Sequence, residues 1–208
     1  IENSTDGPRL RTYPTLDEAL IELFTTQKPI DKMHYIKVFV TCTQRTLYVQ
    51  AQAKCTQGKI LILDAQQPDK LLGDVSGLIL VEGKNLAYVV LISFPEQTFL
   101  KIMSKLLGQE FTVMTPEITD GVTELMNIIY GQAKLVLDVK NVGIQSNIPS
   151  LVVGKKIPSD SNDPRLLKSK LLLESGKIVV IPFDTPVGKF YVQVCFTEQF
   201  VKELSHQS

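Results

Sequence analysis

Residues 86–94 read Leu-Ala-Tyr-Val-Val-Leu-Ile-Ser-Phe, an almost uninterrupted apolar run. A run of this kind is typical of a strand that is buried on both faces, so a layer of helices must cover each side of its sheet. The segment Gly83-Lys84-Asn85 before it predicts a turn from a preceding strand. Alternation and β-branched composition predict the other strands at 59–64, 75–81, 178–183 and 190–196, with shorter ones near 151–153 and 171–173.

Two helices are predicted between these groups of strands. The first begins at Pro95 and ends at Gly108. The second covers about 115–134, where Thr115 can cap the helix and Pro116 occupies the first helical position. Its apolar face is formed by Ile118, Val122, Leu125, Met126, Ile129 and Ala133. The order of strands, helices and strands predicts an α+β fold, a single and mostly antiparallel sheet with long helices packed on it.

The first part of the chain is less regular. Residues 1–13 are polar, and Thr15-Leu-Asp-Glu18 is a capping box that predicts a short helix to about Thr26. A polar joint follows, so we expect an N-terminal helical appendage at 1–31 and the main domain at 32–208. Residues 33–52 fit a strand or a helix face, and periodicity does not decide between them.

The polar face of the second predicted helix carries a distinctive group of residues. Glu124 and Asn127 lie one turn apart, roughly opposite the apolar face, with Asp120 and Gly131 on the same side. A glycine inside a helix costs about 1 kcal/mol relative to alanine, and one reason to keep it is the close approach of a partner. The spacing alone also fits an ordinary solvated face on which Gly131 relieves packing against a neighbouring element.

The composition is that of a globular protein, with 44% hydrophobic and 21% charged residues. Lys+Arg and Asp+Glu balance at 22 each, so no electrostatic footprint for nucleic acid or an anionic membrane is expected. No apolar run approaches the roughly 20 residues that span a bilayer, and no signal peptide is visible. The three cysteines form no C-x-x-C pair, and no cluster has metal-ligand spacing. We therefore expect a cytoplasmic protein without a bound metal.

The order of these segments resembles the CheC/CheX/FliY family of chemotaxis phosphatases, and the CheX type most closely. The resemblance extends from about Asp74 to Phe196 and depends on five stretches in the order of that family. They are Asp74-Val-Ser-Gly-Leu-Ile, Ser93-Phe-Pro-Glu96 with Leu106-Leu107-Gly108, Glu124-Leu-Met-Asn127-Ile-Ile-Tyr-Gly131-Gln-Ala-Lys134, Pro149-Ser-Leu-Val-Val-Gly154 and Ile181-Pro-Phe-Asp184.

The resemblance implies an enzyme that removes the phosphoryl group from the aspartate of a phosphorylated CheY-like response regulator. In that family the Glu-x-x-Asn pair is the active site, so Asn127 would orient the attacking water and Glu124 would pair with a regulator lysine. Asp120 and Gly131 would lie on the docking surface. The regulator would supply Mg²⁺, so the chain needs no cofactor of its own. The CheX type also implies a homodimer in which edge strands join.

Three features differ from the family pattern. CheC-type members carry two Glu-x-x-Asn pairs, whereas residues 33–52 contain none, which favours the CheX type and one site per chain. The segment before residue 33 has no recognised counterpart. The loop predicted at 155–168, which includes the polar stretch 158–164, is longer than usual.

Two other classes of function fit these residues less well. A non-catalytic docking module would use the same helix to bind a response regulator or flagellar-switch component, but a pure binder has no need of the Asn127 amide. A stand-alone small-molecule hydrolase is disfavoured, because the sequence has no nucleophile–histidine pairing and no Gly-rich phosphate loop.

Overall fold

The computed structural model describes residues 11–13, 30–63, 71–83, 86–138, 145 and 147–196. These residues form four helices and one sheet of eight strands. In chain order the elements are β1 (Arg11–Tyr13), α1 (Ile30–Ala51), β2 (Thr56–Gln57), β3 (Ile60–Leu63), β4 (Val75–Gly83), β5 (Leu86–Phe94), α2 (Glu96–Leu107), α3 (Pro116–Asp138), β6 (Ser150–Val153), α4 (Pro164–Ser175), β7 (Lys177–Thr185) and β8 (Gly188–Phe196).

Every described strand pair is antiparallel, in the order β1-β3-β7-β8-β5-β4-β6, and β2 also pairs with β7. The predicted fold class, a single antiparallel sheet with long helices on it, is therefore confirmed. The described path ends at β1 on one side and at β6 on the other. That such edges join two copies of the chain stays a prediction.

Strand β5 lies inside the sheet, between β4 and β8, and its side chains alternate between two buried layers. Tyr88, Val90, Ile92 and Phe94 belong to the larger layer, which includes the apolar faces of α1, α2 and α3. Val89 and Leu91 belong to a smaller layer that includes residues of α4. Helices thus cover both faces of β5, as its continuous apolar sequence predicts. No helix in the described ranges is both long and apolar enough to cross a membrane.

The two central helices begin where the sequence predicts, and α2 also ends there, whereas α3 continues to Asp138, about one turn beyond its predicted end at 134. Pro95 gives α2 no side-chain cap; instead the Asp74 carboxylate accepts a hydrogen bond from the Glu96 N–H at 2.9 Å. The helix ends at Gly108, whose φ of 69° lies in the left-handed region. At the start of α3, the Ile118 N–H donates to the Thr115 hydroxyl oxygen at 3.4 Å, which confirms the predicted cap.

In the N-terminal region the structure decides between the two alternatives left open for one segment and differs from the sequence interpretation at another. The ambiguous segment 33–52 is helical as far as Ala51 and belongs to α1, because its buried face packs against the sheet and against α3. Arg11–Tyr13 lies within a stretch interpreted as irregular, yet it pairs with β3. Pairing of this kind uses backbone groups, so it leaves little trace in a three-residue sequence. The capping box at 15–18, its helix to Thr26 and the turn residues Lys84 and Asn85 lie outside the described residues. The boundary at residue 31 stays a prediction.

The prediction of a strand at 171–173 is wrong, because these residues lie in α4. A run of three leucines is too short for periodicity to separate a strand from a helix. The helix is specified further upstream: the Asp163 carboxylate accepts a hydrogen bond from the Arg165 N–H at 2.9 Å, and Pro164 follows the cap. The loop predicted at 155–168 therefore ends at Asp163.

Asp163 also joins α4 to the sheet. Its carboxylate accepts hydrogen bonds from the Arg165 side chain at 3.0 and 2.9 Å and from the Ser150 hydroxyl at 3.0 Å. The Arg165 side chain makes the largest contribution to lowering the pKa of Asp163 to about 2, and the Arg165 N–H and Ser150 add to it. The pKa in the folded protein is thus below the usual value of 3.8.

We expect Asp163→Ala to lower the free energy of unfolding by about 1 kcal/mol at neutral pH, because the cap is lost. Because the pKa of Asp163 is lower in the folded protein than in the unfolded chain, its ionised carboxylate stabilises the fold fully above about pH 4. This stabilisation is lost as the pH falls toward 2. In urea titrations the difference between wild type and variant should therefore shrink over that interval. Asp160→Ala, in the same exposed segment, serves as the control. A difference that does not depend on pH would contradict this role.

Candidate active site

One face of α3 carries five exposed residues at spacings of three and four, which we call the outer stripe: Glu117, Asp120, Glu124, Asn127 and Gly131. Residues at these spacings lie one above the other along a helix. The structure thus brings together all four residues that the sequence assigns to catalysis or docking, and adds Glu117 to them. Their roles stay predictions, but their common orientation toward solvent is a property of the fold.

Burial of the opposite face fixes the rotation of α3. The six residues of the predicted apolar face are each at most 7% exposed: Ile118, Val122, Leu125, Met126, Ile129 and Ala133. Burying side chains of this size contributes about 1.5–3 kcal/mol for each large aliphatic residue. Rotation of the helix by one residue would bring polar groups into the core, so the outer stripe is held outward by packing on the other side.

The height of α3 above the sheet is set by a glycine of β4. An ideal Cβ placed on Gly77 would lie only 2.8 Å from the Val122 carbonyl oxygen and 3.1 Å from the Met126 Cβ. The helix backbone therefore lies directly against the strand at this point. A glycine within a strand often marks such a close approach.

The second half of α3 is anchored by a hydrogen bond. The Tyr130 hydroxyl donates to the Gln145 carbonyl oxygen, and the Gln145 N–H donates to the Glu82 carbonyl oxygen at 2.8 Å. Glu82 lies near the end of β4. Glu124 and Asn127 are therefore flanked by contacts that tie α3 to β4 on both sides.

The electrostatic character of the outer stripe is acidic. In the described part of the chain, the side chains of Glu124 and Asn127 form no internal hydrogen bond or ion pair. Glu117 lies in the first turn of α3, where a carboxylate interacts favourably with the helix N-terminus. A hydrogen bond from the Thr115 hydroxyl, and then the backbone N–H of Glu117 itself, lower the pKa of Glu117. The stripe thus offers carboxylates and one neutral carboxamide to an incoming partner.

The chemistry of this face suits docking and orientation. A carboxamide both donates and accepts hydrogen bonds, so it can hold a water molecule, and a carboxylate can pair with a cation. Nucleophilic thiol chemistry is disfavoured, since burial raises the pKa of Cys195 to about 12 and that of Cys55 to about 11. The described residues hold no group of three or more metal-ligating side chains.

The outer stripe is an open surface. A groove of about 440 Å³ lies along α2 instead, with Leu100, Phe111 and Val187 among its lining residues, and it includes no residue of the stripe. Gly131 is equally open, because a Cβ built there would meet no atom within 4 Å. The interpretation that Gly131 relieves packing within the chain therefore has no support in the described structure.

Comparison with known proteins places this architecture in a family. Residues 75–184, from β4 into β7, match the family model described as chemotaxis phosphatase CheX. This match covers more than half of the sequence, and the chain therefore belongs to the CheX family. No curated protein matches the sequence of this chain.

Solved structures agree with this assignment. A CheC-like superfamily protein from Shewanella sp. PV-4 is 30% identical, with a TM-score of 0.63, over 78% of this chain and 97% of the other. The chemotaxis protein CheX from Vibrio vulnificus is 25% identical, with a TM-score of 0.60, over 78% and 98%. CheX from Borrelia burgdorferi, solved as a CheX–CheY–BeF3–Mg²⁺ complex, shares the fold at 20% identity, with a TM-score of 0.57, over 78% and 97%.

Three features of the site are not identified by the sequence analysis. Gly77 was noted only as part of a motif, although a glycine inside a predicted strand was a signal of close approach. The bond from Tyr130 to Gln145 joins residues on separate segments, and no local pattern identifies it. Glu117 was assigned no role, although its spacing from Asp120 places it on the same face.

Proposed function

We propose that this protein hydrolyses the aspartyl phosphate of a phosphorylated CheY-like response regulator. The observation that carries the proposal is the exposed pair Glu124 and Asn127, one turn apart on the outer stripe of a chain of the CheX family. The fold relative from Borrelia burgdorferi was solved in a complex with CheY, which supports a partner of this class.

The shape of the site favours a protein substrate. Sites for small molecules enclose most of the ligand surface, whereas the outer stripe is an open helix face. A reactive group on a second protein can be enclosed there, because that protein covers the stripe when it docks. Gly131 supports this arrangement, since its missing side chain leaves the helix backbone accessible to a close partner.

Asn127 orients the attacking water in this proposal. Its carboxamide oxygen accepts a hydrogen bond from the water, which places the water oxygen in line with the phosphorus. The water oxygen forms a bond to phosphorus while the bond from phosphorus to the aspartate oxygen breaks. The products are inorganic phosphate, the free regulator carboxylate and a proton released to solvent. Phosphoryl transfer depends chiefly on positioning and charge stabilisation, and a well-placed neutral amide provides the positioning.

The regulator provides the other groups that the reaction needs. Its Mg²⁺ and cationic side chains would neutralise charge on the phosphoryl group, so no cofactor of this chain enters the reaction. Glu124 binds a lysine of the regulator through a charge-assisted hydrogen bond, which fixes the register of the two proteins. Asp120 and Glu117 extend the acidic surface and attract a basic partner surface at long range.

Replacing Asn127 separates catalysis from docking. We expect Asn127→Ala to slow the loss of phosphate from a phosphorylated CheY-like regulator by about 100-fold or more, because the water is no longer placed. Its dissociation constant for the beryllofluoride-treated regulator should change by less than about threefold, since little contact area is lost. Turnover is followed by phosphate-affinity gels and binding by calorimetry.

Asn162→Ala is the matched control, because Asn162 is an exposed asparagine in the segment before α4. This variant should keep wild-type turnover. Full activity of Asn127→Ala would disprove the assigned mechanism. A wild type that binds the regulator without accelerating phosphate loss would instead be a docking module, with Glu124 and Asn127 as contact residues.

The charge of Glu124 should govern affinity. Glu124→Gln keeps the shape of the side chain but removes its charge, so we expect the dissociation constant for the regulator to rise about tenfold. Wild-type affinity should fall as salt is added, and the variant should be less sensitive to salt. Glu174→Gln, the same change at an exposed position of α4, should leave affinity unchanged. Equal affinities of wild type and Glu124→Gln would exclude the lysine contact.

Gly131 should show opposite effects on stability and binding. We expect Gly131→Ala to raise the free energy of unfolding by about 1 kcal/mol, because alanine favours the helix and no atom lies in the way. The same variant should bind the regulator more weakly, and Gly131→Leu more weakly still. Urea titration measures the first effect and calorimetry the second. Unchanged affinity in both variants would rule out close approach of a partner at this position.

A further inference from the structure

We infer that Gly77 is a positioning residue for the reaction proposed above, on which this inference depends. Gly77 is the third residue of β4 and is distant in sequence from Asn127. The absence of a side chain at Gly77 allows the backbone of α3 to lie directly on the strand, and this contact sets where Asn127 is presented to the partner.

The contact involves the part of α3 that carries the site. A Cβ on Gly77 would lie 2.8 Å from the Val122 carbonyl oxygen and 3.1 Å from the Met126 Cβ. Both contacting residues lie on the helix turn of Glu124, and Met126 directly precedes Asn127. The first of these atoms belongs to the backbone, so no change of side-chain rotamer relieves the clash.

The strand is held in place on both sides. Gly77 is opposite Ile92 of β5 and Leu151 of β6 in two antiparallel ladders. Because β4 is paired with both neighbours, the adjustment to an added methyl group falls mainly on α3. Moving from 2.8 Å to the 3.4 Å of ordinary van der Waals contact requires a displacement of about 0.6 Å.

The displacement would not be uniform along α3. The Tyr130 hydroxyl is bound to the Gln145 carbonyl oxygen, so the helix is held one turn beyond Met126. If α3 is displaced at Val122 while Tyr130 stays in place, the helical segment between these two residues tilts. This segment carries Glu124 and Asn127. Misplacement of about 1 Å at a group that orients a reactant can reduce a rate 100-fold, whereas a docked surface tolerates small shifts more easily.

Gly121 provides a matched control. It lies on α3 itself, and a Cβ there would meet only Met103, at 2.2 Å from Cε and 2.9 Å from Sδ. These atoms form the flexible end of a side chain that can move away. Gly121→Ala therefore makes the same chemical change beside the same turn of helix without separating α3 from the sheet.

The test compares kcat and KM for a phosphorylated CheY-like regulator across four proteins: wild type, Gly77→Ala, Gly121→Ala and Leu166→Ala. Leu166 belongs to α4 and is buried in the smaller core layer, so its truncation destabilises the protein on the face opposite α3. We expect kcat of Gly77→Ala to fall about tenfold or more while KM changes less than about threefold. Both controls should keep kcat within about twofold when corrected for the folded fraction.

A Gly77→Ala protein with the kcat of Leu166→Ala would overturn the inference and leave Gly77 a purely structural residue. If Gly77→Ala does not fold, Met126→Ile alters the same contact from the helix side, because it adds a methyl group to the Cβ that faces Gly77 at a similar side-chain volume. It should also lower kcat more than KM, and an unchanged kcat would again overturn the inference. If the wild type does not accelerate phosphate loss, both this inference and the proposed function are wrong. If the wild type is active and Gly77→Ala has the same kcat, only this inference is wrong.

Discussion

Strand β5 lies between β4 and β8, and its side chains are buried on both faces of the sheet. A strand without a polar face needs helices on both faces of its sheet. In this protein α1, α2 and α3 cover one face and α4 covers the other. The remaining architecture depends on this constraint. Each helix must turn an apolar face to the sheet, and its opposite face is then available for function.

In α3, burial of one helix face leaves the opposite face exposed as the candidate site. Val122, Leu125 and Ile129 are buried against the sheet, so Glu124 and Asn127 point to solvent without any internal partner in the described structure. Gly77 allows the helix to approach β4, and Tyr130 anchors its second half. Packing energy thus fixes the orientation of two polar side chains that contribute little to stability themselves.

Much of this could be predicted from sequence because the signals are local and long. Residues 86–94 predict a central strand, Pro95 and Gly108 predict both ends of α2, and Thr115 predicts the start of α3. The outer stripe follows from helical periodicity alone. The sequence leaves α1 ambiguous because 33–52 fits both a strand period and a helix period. It predicts a strand at 171–173 because three leucines are too few to show a helical period, whereas the structure forms α4 there from its cap at Asp163. The contact at Gly77 joins distant segments, so only the fold reveals it.

The most direct test of the account is a structure of this protein bound to a CheY-like regulator that carries beryllofluoride and Mg²⁺ at its phosphorylation site. We expect the regulator to cover the outer stripe, with the Asn127 carboxamide facing the beryllofluoride within reach of one bridging water and Glu124 paired with a regulator lysine. A regulator bound at α4 or at the groove along α2, with Asn127 remote from the beryllofluoride, would contradict the account.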